Sequence, residues 1–269
     1  LAGVIQTVPS LALLALMVLL LNGRIGFWPS FLALVLYSIL PILANTIVGI
    51  RGVEPALTEA ARGLGMSPIQ MLCRVELPLA APKILSGLRT ATVLVVGTAT
   101  LVTTVGGASL GNYIFEGLEG FNDVRTVFGC VAAALLAVFL DQLVHLLEMA
   151  AARRSRLLAW AGVAGLLLTS AFALYAPART LLDTRQGPAA VAESPQDAPT
   201  VFRDTYDQLS AHLPDMWHGL PRYLGGHMAL SLSALAAGVL ISIPLGIVGS
   251  RRPKLAECSL AVAGVIQTI

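Results

Sequence analysis

The sequence predicts an all-α protein, a polytopic bundle of transmembrane helices. Hydrophobic residues make up 56% of its 269 residues and charged residues only 12%, whereas soluble domains carry about 25% charged residues. The mean hydropathy is +0.80. Several runs of about twenty residues contain no charged side chain, which is the length that a helix needs to cross a bilayer. Together these observations indicate an integral membrane protein.

The predicted spans follow one another along most of the chain. In order they cover residues 1–22, 30–50, 84–105, 126–147, 157–178 and 228–248, and another begins at 260. Two of them contain a central proline, Pro9 and Pro41, which a membrane helix tolerates when neighbouring groups bond the freed carbonyl. Asp141 and His145 lie near the end of the fourth span, and we expect them to form a polar helix end at the interface.

A polar segment, residues 51–83, interrupts the apolar spans and has its own helical pattern. Pro55 suits the first turn of a helix, where its missing N–H is not needed. The apolar residues that follow have the spacing of one helical face, and they are Leu57, Ala60, Ala61 and Leu64. The segment therefore begins with a short amphipathic helix.

A second short helix is predicted directly after a glycine turn in this segment. Gly65 allows the turn, Ser67 is a typical N-cap residue, and Pro68 fits the first helical position. We expect Pro78 and Pro82 to end this second helix before the next span, because proline disrupts helical hydrogen bonding.

The segment resembles the EAA loop of the permeases of bacterial ABC importers. That pattern reads E-A-A, three residues, G, nine residues, I-x-L-P. Here Glu59-Ala60-Ala61 is followed at the right spacing by Gly65 and then by Val75-Glu76-Leu77-Pro78. The one departure is Val75 in place of isoleucine. The resemblance implies a helical bundle of the type I ABC-importer permease kind, in a bacterial inner membrane.

The resemblance also implies how the segment works. In that family the loop docks into a groove of a separate ATP-hydrolysing subunit, which holds the ATP and Mg, so this chain would bind no cofactor and would not itself be an enzyme. The residues that carry this coupling role over are Glu59, Ala60, Ala61, Arg62, Gly65, Leu77 and Pro78. We expect Glu59 and Arg62 to contact the rim of the groove, and the apolar face to fill it.

Three further stretches, residues 2–17, 35–66 and 88–118, are similar to permeases for glycine betaine, choline and carnitine. The resemblance covers about 1–150 and 228–269, and it implies a periplasmic or lipid-anchored substrate-binding protein. Quaternary amines are commonly held by aromatic cages, which in this family belong to that binding protein. The substrate path is the weaker expectation, and its candidate residues are Asn45, Thr98, Thr100 and Thr103.

The positions of Lys and Arg predict the orientation in the membrane. Six of the seventeen lie on one side, four of them in the acid-rich segment after 178. The other eleven lie on the opposite side and are Arg51, Arg62, Arg74, Lys83, Arg89, Arg153, Arg154, Arg156, Arg251, Arg252 and Lys254. The more basic side should be cytoplasmic, which places residues 51–83 where an ATPase subunit would be.

An internal repeat predicts the domain organisation. Residues 2–8, AGVIQTV, recur at 263–269 as AGVIQTI. We interpret 1–156 as the C-terminal part of a permease domain, 157–178 as a linking transmembrane helix, and 179–227 as an extracytoplasmic linker. Residues 228–269 would start a second, tandem permease domain that is truncated here. It is also possible to interpret the chain as a single permease whose sequence is permuted.

Different functions remain open from the residues alone. The net charge of +2, without a basic stripe, does not favour nucleic acid, and the three cysteines have no metal-ligand spacing. An ion-coupled secondary transporter would need an intramembrane carboxylate, for which Asp141 is the candidate. An ABC permease for another small polar solute and a membrane scaffold also fit the composition. For the ABC permease, the bilayer lipid and a second permease domain, in tandem or as a dimer, are further expected partners.

Overall fold

The computed structural model describes residues 10–153, 155–182 and 203–268. In those ranges every regular element is helical, which confirms the predicted all-α class. The helices are α1 (Ser10–Leu20), α2 (Phe27–Arg51), α3 (Pro55–Gly63), α4 (Pro68–Met71), a π-helical turn (Leu72–Glu76), α5 (Leu77–Ala99), a 3₁₀ turn (Thr100–Val105), α6 (Gly111–Glu119), α7 (Asp123–Arg153), α8 (Arg156–Leu182), α9 (Arg203–Arg251) and α10 (Pro253–Thr268).

Five of the described helices are long and apolar enough to cross a membrane, as the sequence predicts. They span Phe27–Arg51, Pro68–Val105, Asp123–Arg153, Arg156–Ala173 and Gly219–Arg251. Of the first predicted span, 1–22, the structure describes only the apolar helix α1, because residues 1–9 lie outside the described ranges. The multi-pass membrane architecture is therefore confirmed.

Helix α2 lies at the centre of the bundle, between α5 and α9. Small residues on α9 recur every four positions at Gly238, Ser242 and Gly246, which aligns them on one face. A Cβ atom at Gly238 would collide with Ser38, and the hydroxyl of Ser242 donates to the carbonyl of Ile39 at 3.2 Å. Such small residues let membrane helices approach closely, where dispersion and hydrogen bonds replace the hydrophobic effect.

A similar close approach joins α5 to α2. A Cβ atom at Gly87 would lie 2.6 Å from the Cβ of Asn45 and 2.7 Å from the carbonyl oxygen of Pro41. The same carbonyl accepts a hydrogen bond from the Asn45 side-chain amide at 2.8 Å. Pro41 interrupts the usual helical bonding of α2, and the Asn45 side chain bonds one of the carbonyls nearby.

Helix α1, which follows the first copy of the repeat in the sequence, and helix α10, which contains most of the second copy, pack against different halves of α2. Leu13 and Leu14 of α1 belong to the buried cluster around Leu34, near the beginning of α2. Ala256 of α10 belongs to a separate cluster around Leu43, nearer its end. The repeat itself is only partly visible, because residues 2–8 lie outside the described residues while 263–268 continue α10.

One boundary prediction is wrong. Pro78 and Pro82 do not end a helix; both lie in α5, which continues directly from α4 through the π-helical turn. Pro78 falls in the first turn of α5, where no N–H is needed, and the preceding turn bonds with a five-residue spacing, Leu77 N to Leu72 O. Helix α8 includes the predicted linking helix, 157–178, and extends to Leu182. Because α9 begins at Arg203, the described parts of the predicted linker, 179–227, are helical.

Candidate functional site

The predicted EAA segment forms two short helices joined by a glycine turn. Helix α3 ends in a Schellman-type turn, in which Met66 N–H donates to Ala61 O at 3.1 Å and Gly65 N–H to Arg62 O at 2.9 Å. Gly65 has φ +74°, a left-handed conformation that L side chains rarely adopt. Gly65 therefore occupies the one position of this turn where glycine is favoured on backbone grounds.

A capping box starts the second helix, α4, and its first member is the predicted N-cap, Ser67. The Ser67 hydroxyl accepts from the backbone N–H of Gln70 at 3.3 Å, and the Gln70 side chain accepts from the N–H of Ser67 at 2.9 Å. Both bonds satisfy donors that have no partner inside the helix. Pro68 occupies the first helical turn. The loop is thus ordered by its own local bonds.

The residues of the EAA triplet differ in burial. Ala61 is buried, with 4% of its surface exposed, while Glu59, Ala60 and Arg62 are exposed. Within the described residues, neither Glu59 nor Arg62 forms an ion pair. Ala61 thus belongs to the protein interior, whereas the charged side chains of Glu59 and Arg62 can contact another molecule.

Three large apolar side chains of the loop are also exposed. Leu64 and Ile69 expose 78% and 74% of their surface, and Leu57 exposes 44%. The predicted apolar face of α3 is therefore split, because Ala61 faces inward while Leu57 and Leu64 face outward. Exposed leucine and isoleucine flanked by charged residues are typical of a docking surface.

The end of the motif enters the bundle. Leu77 is half-buried and Pro78 is exposed at the beginning of α5. Between Val75 and Leu77, Glu76 is buried, and its carboxylate meets the guanidinium of Arg251 at 2.6 Å. We did not predict this pair; the two residues lie 175 positions apart, and no local pattern in the sequence connects them.

The four candidate path residues do not form one site. Asn45 packs against Gly87, eleven residues before Thr98 along α5, which is about 16 Å at 1.5 Å per residue. Thr98 and Thr100 are half-buried, and the Thr100 hydroxyl donates to Gly97 O at 2.8 Å. Next to them Gly97 has no atom within 4 Å of a Cβ position, so this part of α5 faces open space.

Thr103 belongs instead to a polar cluster at the end of α5. Its hydroxyl lies 2.9 Å from the hydroxyl of Ser109 and donates to the Asn112 side chain at 3.2 Å. The same Asn112 oxygen accepts from Ser109 N–H at 2.9 Å. These bonds fix the glycine-containing connection between the 3₁₀ turn and α6, which is a structural role for Thr103.

Beside this cluster, the buried His227 of α9 joins α5 to α6. Its Nδ1 accepts from Leu110 N–H at 3.3 Å and its Nε2 lies 3.1 Å from Val96 O. Because a carbonyl can only accept, Nε2 carries the proton and the ring is neutral. Nearby, the Tyr113 hydroxyl donates to Met216 O at 2.7 Å, and burial raises the pKa of Tyr113. We call these contacts the outer junction.

Asp141, the intramembrane carboxylate singled out in the sequence, is paired. Its two oxygens accept from Arg89 Nε at 2.5 Å and Nη2 at 2.8 Å. His145 Nδ1 and Glu148 Oε2 lie 3.2 Å and 3.8 Å from Arg89 Nη1. This cluster ties α5 to α7 and compensates the charge of Asp141. In the part of the chain that the structure describes, no group of three or more His, Cys, Asp or Glu side chains converges as a metal site would.

A family model decides which class of membrane protein this is. Residues 1–156 match the binding-protein-dependent transport system inner membrane component. The chain belongs to this family. The match includes the coupling segment 51–83 and helices α1 to α7, and it confirms the permease resemblance and an inner-membrane location. Members of this family are transport components and not enzymes.

Curated relatives of this inner membrane component are osmoprotectant permeases. The choline transport system permease protein OpuBB of Bacillus subtilis is 45% identical over 146 residues, 54% of this chain and 66% of its own length. The osmoprotectant import permease protein OsmW of Salmonella typhimurium is 38% identical over 151 residues, 55% and 70%. The chain thus spans about two thirds of the length of these relatives. No solved structure gives a significant match.

Proposed function

We propose that this chain is the permease subunit of an ATP-driven importer for quaternary-amine osmoprotectants, with glycine betaine, choline and carnitine as the substrate class. The observation that carries the proposal is the loop at 51–83, which displays Glu59, Ala60 and Arg62 on a surface that nothing in the described structure covers. The names of the relatives, which specify choline and related osmoprotectants, support the substrate class.

The loop would act as a mechanical contact and not as a reaction centre. Leu64 and Ile69 would enter an apolar groove of a cytoplasmic ABC ATPase, while Glu59 and Arg62 would lie at its polar rim. ATP and Mg would be bound by that partner. Gly65 would let the chain turn tightly, so that the two short helices stay side by side as the ATPase moves.

The substrate path would run past the open side of α5 at Gly97 and past the half-buried Thr98 and Thr100 next to it. A quaternary ammonium offers no N–H to an acceptor, so weakly polar hydroxyls and apolar side chains would let it pass without holding it. Asn45 and Thr103 bond within the protein, and we assign them to the walls that shape this path. A periplasmic or lipid-anchored binding protein would deliver the substrate.

The repeat would reflect two permease units. In the structure α9 packs against α2 and α5, the helices on either side of the coupling segment, and α10 packs against α2. This packing supports the idea that residues 228–269 provide helices of the kind a permease unit needs. We propose that this segment starts a second, tandem unit in the sequence and that its helices resemble those that complete the first. Within the bilayer, lipid would cover the remaining apolar faces.

Reconstitution of the complete transporter tests the proposal. The permease, its ATPase and its binding protein are placed in liposomes, and ATP hydrolysis is measured with glycine betaine, choline or an unrelated amino acid. We expect stimulation by the quaternary amines and loss of stimulation in Gly65→Asp, which strains the turn without altering the spans. Stimulation by none of the three, with the complex assembled, would remove the substrate assignment. Failure to assemble with any ATPase would remove the permease role.

A further inference from the structure

We propose that Glu76 and Arg251 are positioning residues that transmit movement of the coupling loop to helix α9. This inference rests on the proposed function, because it assumes that an ATPase moves the loop. In the sequence the loop is joined only to α2 and α5. The inference therefore adds α9 as a third membrane helix to which movement of the loop is transmitted. The geometry that supports it lies at the cytoplasmic end of the bundle.

The beginning of the loop is tied to the end of α9 by Arg51. This arginine is the last residue of α2, and its Nη2 and Nε donate to the carbonyls of Gly249 at 3.2 Å and Ser250 at 3.4 Å. The last carbonyls of a helix have no partner inside it and carry partial negative charge. A guanidinium is therefore well suited to hold this end of α9.

The end of the loop is tied to the same place by Glu76. This residue closes the π-helical turn and is only 6% exposed. A carboxylate with so little access to water requires a partner, and the Arg251 guanidinium supplies one at 2.6 Å. Arg251 is the last residue of α9. Both ends of the loop thus contact the final turn of one helix.

An apolar layer lies next to these contacts. Ile50, Ala80 and Ile84 are buried together, and Ile243 and Ile247 of α9 pack against them. The layer begins within about one helical turn of Arg51, Glu76 and Arg251 along their helices, so it packs the backbone next to the charged contacts. At this level α9 therefore packs directly against α2 and α5.

Helix α9 can carry a displacement to the opposite side of the membrane. From Arg251 it runs back along α2 and reaches the outer junction, where His227 bonds the backbone of Val96 and Leu110. The π-helical turn before α5 is a helix geometry often found at functional sites. Movement of the loop at Glu76 would therefore displace a helix that, at His227, bonds the connection between α5 and α6.

A cross-linking experiment tests the contact itself. The three native cysteines, which are exposed and unpaired, are replaced by serine, and cysteines are introduced at Glu76 and Arg251. A short bis-maleimide should join them in the assembled transporter in membranes, because the two positions are adjacent in the structure. The matched pair Glu76→Cys with Arg252→Cys uses the neighbouring exposed arginine and should cross-link less. Equal yields in both pairs would overturn the proposal.

A charge-exchange experiment tests the role. In Glu76→Gln and in Arg251→Gln we expect the substrate transported per ATP hydrolysed to fall about tenfold, while the complex with the ATPase still assembles. The exchange variant Glu76→Arg with Arg251→Glu should recover much of this ratio, which a lesion that only unfolds the protein would not. Arg252→Gln, which removes the same charge one position away, should leave the ratio unchanged.

The outcomes separate this inference from the proposed function. If the unaltered transporter shows no substrate-stimulated hydrolysis, the importer assignment fails and the positioning role fails with it. If the unaltered transporter is stimulated and both single variants keep its ratio of transport to hydrolysis, the importer assignment stands and the positioning role is wrong. A fall in both single variants without recovery in the exchange variant would also overturn it.

Discussion

The coupling loop and the outer junction differ in where their polar groups find partners. In the loop, Glu59 and Arg62 are exposed and make no ion pair among the described residues, and Leu64 and Ile69 face outward. At the outer junction His227 and the hydroxyl of Tyr113 form hydrogen bonds inside the protein. The difference indicates that the loop is built to meet another molecule, whereas the junction is built to hold the helices in place.

This comparison predicts that substitutions in the two regions affect different properties of the protein. Loop substitutions should impair association with the ATPase and leave the free energy of unfolding unchanged. Junction substitutions should lower the free energy of unfolding and leave association per folded molecule unchanged. Measuring both quantities for every variant is what makes the distinction testable.

The largest effect should come from charging the apolar surface of the loop. Leu64→Asp together with Ile69→Asp would place carboxylates where an apolar groove is expected, and should weaken ATPase association at least about 100-fold, since hot-spot residues contribute about 2 kcal/mol each. Pull-down of the ATPase from detergent measures it. The control is Leu118→Asp, the same change at an exposed leucine of α6. Equal loss in both variants would contradict a specific docking surface.

A smaller effect, on stability, is expected from His227→Leu. The change keeps the volume similar but leaves the Leu110 N–H and the Val96 carbonyl without a partner, which should cost about 3 kcal/mol of unfolding free energy. Thermal unfolding in detergent reports it. His227→Gln, which retains a donor and an acceptor, should lose less. A histidine that served transport chemistry would instead show normal stability and altered transport in both variants.

These contrasts explain why the sequence predicted one region better than the other. The loop is predictable because its determinants are local: Ser67 caps α4 three residues from Gln70, and Gly65 turns the chain four residues after Ala61. Helix class and spans follow from composition and run length for the same reason. The partners of Glu76 and His227 lie more than one hundred positions away, and a single sequence contains no periodicity that pairs them.

The two prolines of α5 show the same limit of local patterns. Proline predicts a helix end because it removes a backbone donor, but Pro78 lies where α5 has just begun and that donor is not needed. A π-helical turn precedes α5, and Glu76 in that turn pairs with Arg251, a tertiary contact that no local pattern indicates. The half-buried positions of Thr98 and Thr100, next to the open space at Gly97, likewise depend on which helices are neighbours.

A moderate loss of stability, with a dependence on pH, is expected from Tyr113. Tyr113→Phe removes the hydrogen bond to Met216 O and should cost about 1 kcal/mol. Burial raises the pKa of this phenol, so the neutral form is favoured in the folded state. Stability linked to the phenol is then complete below its unfolded pKa of about 10 and falls as the pH rises above that value. The fall should be shallower in Tyr113→Phe, and identical alkaline profiles would contradict it.

The smallest effect is expected where the loop depends on a single local bond. Ser67→Ala removes the oxygen that accepts from Gln70 N–H. Loss of a cap typically costs about 1 kcal/mol of helix stability, and the long bond here, 3.3 Å, suggests a cost at the low end of the range, about 0.5 kcal/mol. Hydrogen exchange at the amides of residues 69–72 should therefore be about twofold faster, because α4 is held at its start by this box. Thr58→Ala, which removes a hydroxyl bonded to Pro55 O in the neighbouring helix, leaves an exposed carbonyl that water can satisfy, and should change exchange little. If Ser67→Ala also left exchange unchanged, the conformation of the loop would be set by its attachment to α5 at Glu76 and not by its own caps. The loop would then resemble the outer junction, which is held by contacts between residues distant in the sequence.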